Sequence, residues 1–331
     1  MRAKTVGDVG ERRLIALIRA AFPARGRNVL LGIGDDAAVI RPGRAPAILT
    51  KDLLVENVDF YRSRHPAYYV GRKSLAVNLS DIAAMGGTPL YTLLGLGWPG
   101  DLPLLWARNF LRGFRDAAGD SHTELIGGDI SRAREIVISV TAIGEARSIV
   151  RRGGAKPGDG IFVSGTLGDA ALGLALMERG AVLGRSRVRN AVLKAFLDPQ
   201  PQIGLGRELA RGRIASSMID LSDGLSVDLR HICEESGTGA EIDLQAIPFS
   251  AGMRAYGGDR TLDFALHGGE DFQLLFTVPP ERAKADLLKA AAGRFALTCI
   301  GRIRKDKGVF GIDAAGRRAP IAARGYEHFK A

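Results

Sequence analysis

Apolar stretches that end at glycine and aspartate recur along this chain of 331 residues and constrain its fold more than any other feature. The first instance is Gly32-Ile33-Gly34-Asp35-Asp36-Ala37-Ala38-Val39, which an apolar run at 29–31 precedes. Apolar runs that end in a carboxylate return at Asp52, Asp81, Asp129, Asp220 and Asp223. Any one instance is more simply interpreted as a solvated turn, because glycine and aspartate are ordinary turn formers. The recurrence instead favours a site, since gathered carboxylates repel one another and need cations or water to offset their charge.

Hydrophobic spacing predicts helices and strands without strict βαβ alternation, so the fold class is α/β of a mixed, α+β type. Helices are predicted at 11–22, 69–85, 104–118, 169–179, 203–211, 225–236 and 281–292. Strands are predicted at 47–50, 91–96, 124–126, 135–144, 161–164, 240–244, 272–278 and 297–303. The helix at 69–85 carries Asn78, Ser80 and Asp81 within an apolar pattern. Polar groups inside a buried helix need partners, so this helix is a candidate for the site.

The length is sufficient for two domains of about 150 residues each. Residues 151–160 (RRGGAKPGDG) are the most turn-rich stretch of the chain. We therefore place the boundary just before this stretch and predict domains at 1–147 and 148–331. An apolar content of 46% is enough for a sizeable core in each.

The net charge of +10 raises the question of nucleic-acid binding. Lys and Arg are spread along the whole chain, and the densest patches, 185–194 and 302–307, contain no interleaved aromatic pattern. We predict no nucleic-acid partner, whereas attraction of small anions fits the same charge.

The two cysteines, Cys233 and Cys299, lack metal-site spacing. Both are expected to be buried thiols, which suits a reducing cytoplasm. The N-terminus lacks the apolar core of a signal peptide, and no apolar run approaches the length of about 20 residues that spans a bilayer. A cytoplasmic protein without a membrane partner is expected.

Carboxylates at strand ends and glycine turns predict hard-cation chemistry, with Mg²⁺ shared between the protein and substrate phosphates. Scarce His and Cys disfavour zinc, and neither an EF-hand loop nor a nucleophile elbow is present. The phosphate-binding pattern GxxxxGK[ST] and the protein-kinase motifs are also missing. From the residues alone we predict an enzyme that holds phosphates mainly through metal ions.

Seven stretches carry a more specific signal: 32–39 (GIGDDAAV), 50–60 (TKDLLVENVDF), 77–87 (VNLSDIAAMGG), 126–129 (IGGD), 152–159 (RGGAKPGD), 219–224 (IDLSDG) and 268–272 (GGEDF). In this order and spacing, from about Glu11 to Phe329, the chain resembles the thiamine-monophosphate kinase family. That family belongs to a group with aminoimidazole-ribotide synthetase, selenophosphate synthetase and the hydrogenase-maturation dehydratase.

The resemblance implies an aminoimidazole-ribotide-synthetase-like fold of two domains. The N-terminal domain would bind ATP and Mg²⁺ and form a homodimer through its sheet, and the C-terminal domain would complete the nucleotide and substrate site. It implies ATP-dependent phosphorylation of thiamine monophosphate to thiamine diphosphate by direct in-line transfer. Such a transfer depends on positioning and charge neutralisation, so no residue is assigned as a general base.

The resemblance also implies roles for single residues. The metal ligands would be Asp36, Asp52, Asp81, Asp129 and Asp220, with further metal positions at Thr50, Lys51 and Asp223, and Lys51 would act through its backbone carbonyl. The nucleotide contacts would be Gly128, Asp129, Arg152 and Ser222. The thiamine moiety would contact Glu270 and Tyr326. The aromatic ring of Tyr326 can stack on a cationic ring, and Glu270 can complement the charge of that ring.

One departure from the family affects the substrate contacts. Where the family commonly has Gly and, two residues on, His, this chain has Asn57 and Asp59. Asp59 is therefore a candidate substrate contact in place of that His.

Two alternatives stay open. One is another ATP-dependent enzyme of the group, of the ribotide cyclo-ligase type, which the GGD, DLSDG and GGED series disfavours. Selenophosphate synthetase and the dehydratase are disfavoured because residues 1–34 contain no Cys and the chain ends in Phe329-Lys330-Ala331. The other is a nucleotide-binding protein without turnover.

Overall fold

The computed structural model describes residues 4–23, 27–33, 38–283 and 293–325. Asp36, Tyr326 and residues 284–292 of the helix predicted at 281–292 lie outside the described residues. The chain divides into two compact units. The first comprises Met1–Ile82 and Thr88–Arg147, and the second comprises Ala83–Gly87 and Ser148–Ala331.

Helices and two sheets make up the first unit. Its helices are α1 (Val6–Val9), α2 (Glu11–Ala21), α3 (Ala67–Ala84, of which all but the last two residues belong to this unit) and α4 (Leu104–Asp120). Its strands are β1 (Val29–Leu31), β2 (Val39–Ile40), β3 (Ala47–Val55), β4 (Thr88–Trp98), β5 (Glu124–Arg132) and β6 (Val137–Glu145). β1 pairs with β2, and the other four strands form a sheet in the order β3-β6-β4-β5. β4 and β5 run parallel, whereas β3–β6 and β6–β4 are antiparallel.

The four-stranded sheet has a covered face and an open face. Side chains alternate between the two faces of a strand, and in β3 this alternation buries Ile48 and Leu54 and exposes Leu49 and Leu53. α3 lies on the covered face, where Asn78 accepts a hydrogen bond from β3. The partners that the sequence required for the polar patch of α3 are therefore supplied by β3.

α3 and α4 cross with their backbones in close contact. A Cβ at Gly113 of α4 would overlap the carbonyl oxygen of Tyr68, and a Cβ at Gly71 of α3 would overlap that of Phe110. Each helix thus contributes a glycine at the crossing point. The aromatic side chains of α4, including the fully buried Phe110, pack beneath it.

The second unit contains seven α-helices, a short 3₁₀ helix (Gly258–Arg260) and seven strands among its described residues. The helices are α5 (Asp169–Glu178), α6 (Arg187–Leu197), α7 (Ile203–Arg211), α8 (Leu225–Ser236), α9 (Ala251–Tyr256), α10 (Thr261–His267) and α11 (Pro280–Ala283). The strands are β7 (Gly160–Ser164), β8 (Ser217–Asp220), β9 (Gly239–Asp243), β10 (Leu274–Val278), β11 (Leu297–Arg304), β12 (Gly308–Ile312) and β13 (Arg318–Pro320).

These strands form one mixed sheet in the order β13-β12-β9-β11-β7-β10-β8, in which β12 and β9 run parallel. One core contains Leu229 of α8 with Val163 and Leu275 of the sheet. A second core contains Leu209 of α7 with Phe276. Because neighbouring residues of β10 enter different cores, the sheet is covered on both faces.

The predicted mixed α/β class is confirmed, as are helices α7 and α8 at their predicted bounds. α6 and α9 are found where no helix was predicted. Cys233 is buried as expected, but the expectation for Cys299 is wrong, since its thiol is exposed. Cys299 lies at the register irregularity between β11 and β7, where the alternation that would bury it is interrupted.

Helix α5 is capped by a residue that is distant in sequence. Its N-cap is Gly168, with φ of +84° and no side chain. The carboxylate of Asp271 accepts hydrogen bonds from the N–H groups of Gly168 (2.6 Å) and Ala170 (3.1 Å). Burial raises the pKa of Asp271 to about 7 in spite of these two bonds.

The α3–α4 crossing predicts that Gly113→Ala destabilises the first unit. The added methyl group has no room against the Tyr68 carbonyl, and overpacking of this kind costs about 1–3 kcal/mol. Urea unfolding followed by tryptophan fluorescence measures the effect, because Trp98 and Trp106 both lie in this unit.

Gly119→Ala is the matched control in the same helix. A Cβ there meets no atom within 4 Å, so the free energy of unfolding should stay the same or rise by up to about 1 kcal/mol. Equal effects of the two substitutions would contradict the packing argument.

Asp271 predicts a pH dependence of stability. Its pKa is about 7 in the folded chain and near 3.8 when unfolded, so the folded state holds the proton more tightly. The resulting stabilisation is fully present below pH 4 and is lost as the pH rises to about 7, at up to about 1.4 kcal/mol per pH unit. Urea unfolding of wild type and Asp271→Asn, followed by circular dichroism between pH 4 and 8, should show the wild type losing its advantage over this range. If the free energies of unfolding of the two proteins changed in parallel with pH, the raised pKa of Asp271 would be contradicted.

Candidate active site

In the first unit, an oxygen-rich cluster forms between β3 and α3. Thr50 and Asp52 share one face of β3 because they are two residues apart, and Asn78 and Asp81 share one face of α3. Thr50 Oγ1 donates to Asp81 Oδ2 at 2.5 Å, and the Asp52 N–H donates to Asn78 Oδ1 at 3.1 Å. The structure therefore brings together three residues that the sequence predicted as metal ligands.

The electrostatics of this cluster favour a cation. The pKa of Asp52 is raised to about 6, first by burial and second by the neighbouring carboxylate of Asp81. Both effects penalise the negative charge, and a bound cation would offset them. The donor atoms are carboxylate and hydroxyl oxygens, the ligands that Mg²⁺ prefers. The residues present therefore fit a magnesium ion.

The open face of the same sheet holds a different set of predicted residues. Lys51, Gly128 and Asp129 line a cavity of about 1000 Å³, together with apolar residues of α2 and β4. Lys51 Nζ lies 3.5 Å from Thr141 Oγ1 across the sheet. The side chain of Lys51 thus points away from the face that carries Thr50 and Asp52, which leaves its backbone carbonyl as the predicted ligand.

Within one chain, Asp129 is remote from the cluster on β3. Asp129 is opposite Gly95, Gly95 is opposite Ser139, and Ser139 is opposite Leu53 of β3. Three strand spacings of about 4.8 Å separate the two ends of this row, or roughly 14 Å. The structure does not bring the Asp129 carboxylate to that cluster.

In the second unit, predicted residues meet at the turn of residues 221–224, between β8 and α8. Asp220 ends β8, is buried and pairs with Leu274 of β10. Ser222 and Asp223 follow in the turn and are half-buried. The N–H of Glu270 donates to the carbonyl of Ser222 at 2.8 Å. Asp220, Ser222, Asp223 and Glu270 are therefore close together.

Asp228 belongs to this group and was not predicted. Its carboxylate is buried, and Oδ2 accepts hydrogen bonds from the N–H groups of Asp223 (3.2 Å) and Gly224 (3.0 Å). Its pKa is raised to about 8, mainly by burial and then by Asp220 and Asp223. The available signal was a helix that begins at glycine with an aspartate in its first turn, where a carboxylate can reach back to the backbone before the helix.

Arg152 lies elsewhere in the second unit. The N–H groups of Gly154 and Ala155 both donate to Ser236 Oγ at 3.1 Å, which fixes the Arg152 loop at the end of α8. The turn 221–224 precedes the start of α8. A helix of 12 residues is about 18 Å long, so the structure places Arg152 and this turn at opposite ends of it.

Three predicted substrate or metal positions remain. The carboxylate of Asp59 accepts the N–H of Val55 at 2.8 Å and so closes a turn after β3. Asp36 and Tyr326 lie outside the described residues. Gly325, the residue before Tyr326, packs so closely on the turn that a Cβ would overlap the carbonyl oxygen of Asp223.

Across the described residues, no three His, Cys, Asp or Glu side chains converge as they do around a bound metal ion. No described helix is both long and apolar enough to cross a bilayer. What the two units offer chemically is carboxylate and hydroxyl oxygen near backbone turns, which suits cations and phosphates better than nucleophilic catalysis.

Comparison with known families matches two family models. Residues 34–146 match the AIR synthase related protein N-terminal domain, and residues 156–313 match the corresponding C-terminal domain. The two-domain, mixed α/β fold expected from the sequence is therefore confirmed.

Similarity to individual proteins extends over nearly the whole chain. The thiamine-monophosphate kinase of Aquifex aeolicus is 36% identical, over 99% of this chain and 100% of its own. The crystal structure of the Stenotrophomonas maltophilia thiamine-monophosphate kinase has a TM-score of 0.82 at 38% identity, covering 92% of this chain and 96% of its own. AaThiL complexed with AMPPCP and TMP has a TM-score of 0.78 at 34% identity and covers 99% of both chains. The chain belongs to the AIR synthase related family and, within it, to the thiamine-monophosphate kinases.

Proposed function

We propose that this protein transfers the γ-phosphoryl group of ATP to thiamine monophosphate and releases thiamine diphosphate and ADP. The observation that carries the proposal is the full-length similarity to AaThiL, whose structure contains AMPPCP and TMP. AMPPCP is an ATP analogue, and TMP is the acceptor expected for a thiamine-monophosphate kinase. Two unpaired cysteines suit a cytoplasmic location.

Magnesium ions would be held by oxygen ligands at both units. The proposed ligands are Asp36, Thr50, the Lys51 carbonyl, Asp52, Asp81, Asp129, Asp220 and Asp223. The raised pKa of Asp52 supports this set, because it reflects a repulsion that a cation would relieve. When bound, the ions supply charge neutralisation for the phosphates.

Four residues are proposed nucleotide contacts: Gly128, Asp129, Arg152 and Ser222. Because Arg152 and Ser222 lie at opposite ends of α8, we propose that they contact different parts of ATP. An arginine can form a bidentate contact with phosphate. Gly128 and Asp129 border the cavity on the open face of the first unit.

Glu270 and Tyr326 are the proposed contacts to the thiamine moiety, and Asp59 is a further candidate. Glu270 can complement the cationic ring or the amino group, and an aromatic ring can stack on it. The position of Gly325 against the Asp223 carbonyl supports a role for the residue that follows it. Asp59 already accepts the Val55 N–H, so it has less capacity left for a ligand.

The reaction needs positioning more than proton transfer. A terminal phosphate oxygen of thiamine monophosphate attacks the γ-phosphorus, a new P–O bond forms, and the bond to the bridging oxygen of ADP breaks. The attacking oxygen is already ionised near neutral pH, so no general base is required. The residues of this chain align two anions and disperse their repulsion, which is the main task in phosphoryl transfer.

A homodimer through the open face of the first unit's sheet completes the proposal. Leu49 and Leu53 of β3 are 67% and 53% exposed there. Apolar side chains gathered on one face of a sheet are typical of an interface. The cavity lined by Gly128 and Asp129 lies on the same face, so a second copy would border the nucleotide site.

A product assay tests the reaction directly. Purified protein with ATP, Mg²⁺ and thiamine monophosphate should give thiamine diphosphate and ADP in equal amounts, resolved by chromatography. ADP without thiamine diphosphate would indicate another acceptor within the group. Neither product, with ATP still bound, would indicate a nucleotide-binding protein without turnover.

In the same assay, Asp52→Asn tests the metal assignment. Loss of a ligand whose contribution is several kcal/mol lowers kcat by about 10²-fold or more. The fold should persist, because the hydrogen bond from Asp52 to Asn78 uses the backbone N–H. Asp101→Asn, at an exposed position in the same unit, is the control and should retain activity. Near-normal turnover by Asp52→Asn would refute the assignment.

The dimer proposal predicts that Leu53→Glu yields a monomer. The glutamate places a charge on the apolar face of the sheet, and burying that charge in a dimer interface is unfavourable. Light scattering after size-exclusion chromatography should give twice the chain mass of 35.3 kDa for wild type and the single mass for the variant. Leu105→Glu, at a leucine of α4 that is 70% exposed, should remain dimeric. A wild-type mass of one chain would refute the proposal.

A further inference from the structure

Helix α8 begins at a residue that cannot carry a capping side chain. Its N-cap, Gly224, has φ of +108°, and a Cβ there would lie 2.9 Å from the carbonyl oxygen of Gly268 and 3.0 Å from the carbonyl carbon of His267. Side chains larger than hydrogen are therefore excluded. This excludes the Ser, Thr, Asn and Asp side chains that commonly accept the first free N–H groups of a helix.

Asp228, in the first turn of the helix, instead provides an acceptor for the backbone just before the helix. Its Oδ2 accepts the N–H groups of Asp223 at 3.2 Å and of Gly224 at 3.0 Å. Its relative exposure is 1%, so water does not compete for these bonds. A carboxylate buried to this degree would be costly without such partners.

The turn 221–224 is consequently held from two directions. On one side, the N–H groups of Glu270 and Phe272 donate to the carbonyls of Ser222 and Leu221. On the other side, Asp228 binds the N–H groups of the last two residues of the turn. Glu270 and Phe272 thus fix the carbonyls of the first two residues of the turn, and Asp228 fixes the N–H groups of the last two.

We propose that Asp228 is a positioning residue for nucleotide binding, which sets the orientation of Ser222 and Asp223 before ATP arrives. The inference rests on the proposed function, in which Ser222 contacts ATP and Asp223 a metal ion. A turn that is ordered in advance avoids the entropy loss of ordering on binding, so its affinity for the ligand is higher. Asp228 itself acts through the backbone of the turn and touches neither substrate in this scheme.

The hydrogen-bond geometry makes it possible to test the positioning role of Asp228 separately from any effect of its negative charge. Both hydrogen bonds end on one oxygen, so the amide oxygen of an asparagine can accept them in the same place. Asp228→Asn therefore keeps the positioning and removes the negative charge. Asp228→Ala removes both.

Calorimetric titration with AMPPCP in excess Mg²⁺ measures the effect on wild type and variants. Asp228→Ala should weaken binding by about 10–100-fold, the usual range for a residue that orients a ligand-binding group. Asp228→Asn should bind close to the wild-type value. Ser186→Ala is the matched control, because it removes the side-chain cap of α6 and should lower the melting temperature without changing affinity.

Two results would overturn the inference. One is wild-type affinity in Asp228→Ala with only a lowered melting temperature, which would reduce Asp228 to a helix cap. The other is an equal loss in Asp228→Asn and Asp228→Ala, which would mean that the charge is what matters. If Asp228→Ala does not fold, Asp228→Glu replaces it: the carboxylate is displaced by one methylene, and undiminished affinity would overturn the inference.

The binding measurement also distinguishes this inference from the proposed reaction. If wild type binds AMPPCP but the product assay yields no thiamine diphosphate, the reaction is wrong and the variants still decide the role of Asp228. If wild type does not bind AMPPCP, both the nucleotide site and the role of Asp228 are wrong.

Discussion

The site of the second unit depends on the close approach of α10 and the loop after it to the N-termini of α5 and α8. A Cβ at Gly168 would lie 2.8 Å from the backbone nitrogen of Ala265, and one at Gly224 would lie 2.9 Å from the Gly268 carbonyl oxygen. Both helices therefore begin at glycine and lack a side chain on the N-cap. Two buried carboxylates bind the backbone at these helix starts: Asp271 accepts the N–H groups of Gly168 and Ala170, and Asp228 accepts those of Asp223 and Gly224. Since buried backbone N–H groups need partners, both helix starts depend on a carboxylate that is not at the N-cap.

The same contact brings the two proposed ligand-binding segments together. Asp271 anchors the loop to α5, and the residue before it, Glu270, donates its N–H to Ser222. Glu270 and Phe272 have φ of +69° and +48°, a conformation that costs non-glycine residues about 1–3 kcal/mol and persists only where the surroundings impose it. Here the buried cap and the hydrogen bonds to the turn 221–224 impose it. The proposed thiamine contact and the proposed nucleotide contact are thus one backbone hydrogen bond apart.

Local patterns in the sequence were sufficient for the elements that carry the site, but not for what holds them. The spacing of Leu205 and Leu209 in α7 and of Leu225 and Leu229 in α8 predicted both helices, because one apolar face of each enters a core. The polar patch at Asn78 correctly indicated partners on another element. Asp271 was missed because its partners, the N–H groups of Gly168 and Ala170, lie more than 100 residues away in the sequence. Asp228 was missed although its partners, the N–H groups of Asp223 and Gly224, are close in the sequence. The distance of Asp129 from β3 follows from strand order, which spacing along the chain does not reveal.

Buried carboxylates with raised pKa values occur in both units, and the physical cause is shared. Asp52 next to Asp81, and Asp228 next to Asp220 and Asp223, lose hydration by burial and are further penalised by like charge. The chain as a whole carries +10, but most of its described Lys and Arg side chains are exposed or half-buried, where water screens their charge. A compact divalent cation can enter where a long side chain cannot, and it can bind carboxylates and phosphates at the same time. In the proposed function, an ion that binds the folded state would relieve this repulsion, so the repulsion would contribute to the affinity for the ion and for the phosphates that accompany it.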